Sequence, residues 1–245
     1  MSYTPTKSVV PDDYDHPGQP VGTSNGPLIG LSVLQAGLFL VPLIVLGMAI
    51  GWPASLRLPA AQALPLIARE AVAVQIGYWA YLITALAMVP LAVAMRTYAH
   101  GHGVRGLMVD AAALLGAAAG VFKMLGIVRW LAAMPALADL YGTTKDPMTK
   151  AAIEVSYTML NGYAGGIGEL LGVQLVSGVW LILTGIILGK CGLRWTAIAG
   201  TIIGVLFVAT CARTFLPQAA MLQAIAPPLA LFWFPMLAVA VWRRG

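Results

Sequence analysis

Charge is what this chain has least of. Nine acidic and fourteen basic side chains occur in 245 residues, 9% of the total, against 60% hydrophobic residues and a mean hydropathy of +0.85. Soluble domains carry roughly a quarter of their residues charged, so a water-soluble globule is excluded. The net charge of +5 does not point to nucleic acid, because the basic residues stand singly and form no patch that could hold a phosphate backbone. Cysteine is scarcer still. Cys191 and Cys211 are expected near opposite ends of one helix, which excludes a disulfide between them and a four-thiolate zinc site.

The three histidines do not build a cofactor site either. His16 lies in a polar tail, and His100 and His102 fall between glycines in an expected turn, too few for a metal and at the wrong depth for a buried haem. No His-Glu-x-x-His, phosphate loop, G-x-S-x-G elbow or C-x-x-C-H occurs. No catalytic residue, metal or cofactor is therefore expected. Acyl or phosphoryl chemistry by Asp, Tyr or Arg stays open without a feature that points to it.

Long apolar runs are what the chain has in abundance. A hydrocarbon core of about 30 Å needs about 20 apolar residues in a helix, and six segments meet that length. The expected fold is all-α, a polytopic transmembrane bundle over 28–245 with spans at about 28–50, 71–95, 107–130, 165–189, 193–213 and 225–242. Residues 1–27, with Asp12, Asp13, Asp15 and several prolines, read as a disordered tail rather than a signal peptide. Residues 51–70 read as a loop. The stretch 131–161 is too polar to span and reads as an interfacial helix around 148–160 or as a lid.

Arg96, Arg105, Lys190, Arg194, Arg243 and Arg244 gather on one face of this six-span arrangement. Short loops rich in Lys and Arg stay inside, so both termini are expected in the cytoplasm, in a multi-pass protein of the bacterial inner membrane. Tryptophans 52, 130, 195, 233 and 242 are expected in an interfacial belt, with Trp79 and Trp180 deeper and packed. Glycine pairs at four-residue spacing, 116/120, 162/166, 168/172, 185/189 and 200/204, let helix backbones approach closely. They favour packing within the chain, with self-association or a second membrane protein as the lesser use; lipid is the other expected partner.

Intramembrane charge is the remaining signal. Sixteen residues at about 1.5 Å each place Lys123 about 24 Å along the third span, with Arg129 further out, Arg213 closing the fifth span and Glu169 entering the fourth from the same side. Asn161 is eight residues before Glu169 and shares its face if the helix is continuous; Gly162, Gly165 and Gly166 could instead break it. Lys123, Arg129, Glu169, Arg213 and Asn161 are thus the candidate cluster, at the non-cytoplasmic end. Two readings stand. The carboxylate locks helices together, or the excess positive charge binds an anionic ligand.

The run Gly126-Ile127-Val128-Arg129-Trp130 with Pro135, and the stretch Asn161 to Gly172 with Tyr163, Gly168 and Glu169 leading toward Trp180, resemble an uncharacterised family of bacterial six-helix membrane proteins. The resemblance covers most of residues 28–242. It implies six spans and no assigned chemistry, and it marks Arg129 and Glu169 for attention. On these grounds the expected function is binding or assembly. A small-solute or anion transporter is the alternative, which requires a polar path continuing inward from Lys123 and Glu169, where only Ser177, Thr184 and Thr201 are evident. A membrane enzyme would instead require Asp139, Tyr141, Glu154 and Tyr157 to converge over a cavity.

Overall fold

The computed structural model describes residues 25–244, and among these no strand occurs. The tail expected over 1–27 lies outside the described residues as far as residue 24; Gly26 already begins the first helix. The helices are α1 (Gly26–Ile50), α2 (Ala60–Arg69), α3 (Ala71–Gly101), α4 (Leu107–Leu131), α5 (Ala133–Thr143), α6 (Pro147–Gly165), a π-helical segment (Gly166–Val176), α7 (Ser177–Lys190), α8 (Arg194–Thr210) and α9 (Leu222–Trp242). Six helical stretches are long and apolar enough to cross a membrane: α1, α3, α4 with α5, α6 through α7, α8 with the turn after it, and α9 from Ile225.

The spans leave large apolar side chains facing outward. Ile44, Val72, Leu114, Ile202 and Phe232 are all more than half exposed, which water would not tolerate as a continuous band and lipid does. The chain is an integral membrane protein. Trp79 belongs to this outer face rather than to the packed interior. Trp130 and Trp233, expected in the belt, are buried: Trp130 is near the end of α4 but on an inward face, and Trp233 lies in the middle of α9 and packs inside the bundle.

One end of the bundle, here the turn end, has tight connections. Gly192 adopts φ 82°, and a Cβ there would press on the Arg244 guanidinium, which donates to the carbonyls of Cys191 at 2.8 Å and Gly192 at 2.6 Å. The last described residue thereby caps the end of α7. At the same end α3 runs on through His100, beyond the expected stop at residue 95, and His102 follows it with its Nδ1 2.9 Å from the Tyr98 carbonyl. Arg96 and Asp110 join α3 to α4 there at 2.6 Å.

The opposite, cap end has long connections, and they are helical. Gly51, at φ 67°, ends α1 in the left-handed conformation that favours glycine. In α2, Ala60, Ala63, Leu64 and Ile67 recur at i, i+3, i+4 and i+7 and are buried. They pack with Met134 and Ala138 of α5 and Ile153 and Tyr157 of α6 over Trp130. Residues 51–70 are therefore not a plain loop. The polar stretch 131–161 is α5 plus most of α6, and α6 continues without a break into the fourth span.

Candidate functional site

Glycine decides how close α4 comes to the fourth span. A Cβ on Gly126 would collide with the Gly168 Cα, one on Gly172 would lie 2.9 Å from the Lys123 backbone nitrogen, and one on Gly116 would lie 2.7 Å from Trp180 Nε1. These three contacts run down one antiparallel seam. Beyond Gly165 and Gly166 the helix does not break but widens: the Ser177 N–H and its Oγ, the latter at 2.7 Å, both bond to the Gly172 carbonyl five residues back, the i→i+5 pattern of a π-helix. Such segments are rare and concentrate at functional sites.

Glu169 projects from this widened segment between two arginines. Its Oε1 is 3.7 Å from Arg129 Nη2 and its Oε2 is 3.6 Å from Arg213 Nη2. Both separations exceed direct hydrogen-bonding distance, so these contacts are Coulombic rather than bidentate. Arg129 is 7% exposed, whereas Glu169 and Arg213 are 27% and 23% exposed. The cluster thus has a buried cation, a half-buried acid and a half-buried cation facing outward.

Arg129 is held from several sides. Its Nη1 donates to the Gly126 carbonyl at 2.7 Å, and its guanidinium carbon is 5.6 Å from the Trp130 ring. Trp130 in turn stacks on Tyr78 at 4.9 Å. Tyr78, Tyr81 and Tyr157 all lie within electrostatic reach of Arg129. Among the described residues Arg129 Nε and the Tyr78 hydroxyl are buried without a hydrogen-bond partner.

Two other residues of the expected cluster stand elsewhere. Asn161 donates from Nδ2 to the Leu56 carbonyl at 3.0 Å, tying α6 to the turn before α2. Lys123 lays its stem over Gly172 and makes no ion pair with a carboxylate among the described residues. Sequence spacing places Lys123, Arg129, Glu169 and Arg213 at similar depth and Asn161 eight residues before Glu169, but spacing does not say which way each side chain turns.

The four groups expected for chemistry over the mouth converge in part. The Tyr141 hydroxyl donates to Glu154 at 2.8 Å, and the Tyr157 hydroxyl reaches the Leu58 carbonyl at 3.5 Å. The void among Ile50, Ser55, Leu58 and Trp130 beneath them is about 10 Å³, the least a single water needs, so the cap covers a packed core there. A cavity of about 440 Å³ lies between Leu28 and Leu31 of α1 and Val89, Pro90 and Val93 of α3. It is apolar and belongs to the turn end, away from Glu169.

A family model described as Domain of unknown function (DUF4386) matches residues 35–242, and the chain belongs to that family. No curated protein and no solved structure matches the chain. All six spans and both arginines of the cluster lie within or overlap the matched region.

Proposed function

We propose that this six-span protein binds an anionic lipid headgroup through Arg129 and Arg213, with Glu169 bridging the two arginines until the headgroup phosphate competes for them. The observation that carries the reading is the placement of one carboxylate between two guanidinium groups at 3.6 and 3.7 Å, with the outer arginine and the acid both partly exposed. Two cations against one acid leave an excess charge of one, and arginine's planar fork matches phosphate.

Under the positive-inside reading both termini are cytoplasmic and the cluster faces the opposite leaflet of a bacterial inner membrane. The packed cap over α3 and α4 supports binding or assembly rather than chemistry at the mouth. Transport is the second reading, favoured by Trp180 Nε1 and Thr184 Oγ1 deeper in the bundle, which are buried without a hydrogen-bond partner among the described residues.

Thermal unfolding in nanodiscs tests the proposal. Replacing phosphatidylcholine by phosphatidylglycerol is expected to raise the wild-type midpoint, since a ligand selective for the folded state stabilises it by mass action. Arg213→Ala is expected to lose most of that increase. An increase that Arg213→Ala keeps in full would remove the arginines from the role.

A further inference from the structure

The helices α1 and α3 meet closely over most of their shared length and part at one end. Toward the cap, a Cβ on Gly77 would collide with the Leu46 side chain, and further along Gln35, 2% exposed, donates from Nε2 to the Thr84 carbonyl at 2.9 Å. Beyond that bond the cavity of about 440 Å³ opens, with Leu28 and Leu31 on one wall and Val89, Pro90, Val93 and Ala94 on the other. Pro90 stands where the parting begins. A proline inside a helix removes one backbone hydrogen bond and crowds the preceding turn, a common cause of bending. The volume falls within the range of small-ligand sites, about 300–1,000 Å³.

Lining, depth and opening together define what fits. No charged side chain is among the described residues that line the slot; its polar groups sit at the mouth, on Asn25 and Thr97, and Thr97 spends its hydroxyl on the Val93 carbonyl at 3.1 Å. From Tyr98 at the mouth to Val89 is nine residues, about 14 Å along α3, close to half of a hydrocarbon core of about 30 Å. The slot opens sideways. Pro90 is exposed and Val93 is 55% exposed at its rim, on the same lipid-facing side as Leu86 and Ile83.

An occupant of this slot has to leave no polar group unpaired against apolar walls. A peptide segment would carry backbone N–H and C=O groups that the walls do not satisfy. A helix of a second copy, about 10 Å across, would lie over the slot without entering it. A hydrocarbon chain has neither problem, and the bilayer presents one at this depth. We propose that the slot between α1 and α3 is a binding site for one acyl chain of a phospholipid in the leaflet at the turn end, selected by its chain rather than by the charge of its headgroup. The site is independent of the arginine pair, which lies toward the cap end and acts through charge.

Photolabelling of the full chain in phosphatidylcholine nanodiscs tests this, with a small fraction of the lipid carrying a diazirine in the middle of one acyl chain. Peptide mapping compares labelling of the slot, at Leu28, Leu31, Val89 and Val93, with labelling of the outward faces around Leu114 of α4 and Ile202 of α8. The expected result is labelling of the slot severalfold above those faces, reduced to their level in Ala94→Phe, whose ring fills the slot, while Leu114 and Ile202 label as before. Equal labelling of slot and outward faces in the wild type would mean ordinary boundary lipid and would overturn the site. An unlabelled slot, covered by another part of the chain or a second copy, would overturn it too, as would an excess that survives Ala94→Phe. If Ala94→Phe does not fold, Leu31→Phe fills the slot from the opposite wall and is read by the same ratio.

Discussion

At the scale of single residues, the ion pairs around Glu169 are held by opposed costs. Arg129 is taken almost wholly out of water, and its compensation comes from one carbonyl, an aromatic face and a carboxylate that is not in direct contact. Removing one member of a buried pair leaves the other uncompensated, at a cost of about 3–5 kcal/mol, whereas removing both costs far less. Glu169→Gln is therefore expected to lower stability in phosphatidylcholine by about 3 kcal/mol, the low end of that range because Glu169 is partly exposed. Adding Arg129→Met should recover part of the loss. A double-mutant cycle on the unfolding free energies reads the coupling directly, and strictly additive losses would show that the two side chains do not act as a pair. Asp146 is a second residue whose charge matters locally. Its carboxylate accepts from the Thr149 hydroxyl at 2.6 Å and from the Thr149 N–H at 2.9 Å, and these bonds, the hydroxyl first, hold it below the ordinary carboxylate range. A depressed pKa contributes stability that is present above the unfolded value and lost as pH falls through the folded one. Unfolding midpoints followed from neutral to acid pH should fall less steeply in Asp146→Ala than in wild type; parallel curves would exclude the cap from the acid response.

At the scale of elements, the glycine seam makes a contrast that sequence spacing alone cannot. Gly126 and Gly162 look alike as helical glycines, yet a Cβ on the first meets the Gly168 backbone while one on the second meets nothing within 4 Å. Gly126→Ala is expected to cost about 1–3 kcal/mol through overpacking, and Gly162→Ala to be neutral or slightly stabilising, by up to about 1 kcal/mol from reduced backbone entropy. Denaturation of the two variants side by side checks the contrast, and equal effects would refute the close approach. Most of the other paired glycines are likewise spent inside the chain: Gly120 meets α3, Gly185 and Gly204 join α7 to α8, and Gly200 meets Trp233. The six spans were readable because a run of about 20 apolar residues has few other fates. The amphipathic α2 was readable too, in Ala60, Ala63, Leu64 and Ile67, but Pro59 and Pro65 disguised it as a loop. Pro59 precedes the helix and Pro65 lies within it. The π-helical register left no trace in composition, since Gly165 and Gly166 are equally compatible with a break. Arg129, Glu169 and Arg213 were placed together by counting rise from the helix ends. Lys123 and Asn161 turn elsewhere because rise fixes depth, while rotation about the helix fixes direction.

At the scale of the whole molecule, the protein is a bundle with two unlike ends. The turn end is closed by short connections, by the Arg96–Asp110 pair and by Arg244 capping the turn after α7. The cap end is covered by α2, α5 and the start of α6, with the arginine-flanked carboxylate beneath its edge. A bundle with unlike ends presents different surfaces to the two leaflets, which is compatible with the headgroup binding proposed above. The central claim is that the arginine pair holds an anionic group. Native mass spectrometry of the gently solubilised protein, comparing wild type with Arg213→Ala and Glu169→Gln, tests it most directly. The account predicts adducts with the mass of anionic phospholipid on wild type, fewer on Arg213→Ala by about tenfold or more, as the loss of one charge-assisted contact of about 1.5–3 kcal/mol implies, and more on Glu169→Gln, where the competing carboxylate is gone. Equal adduct levels on all three proteins, or adducts only of zwitterionic lipid, would contradict it.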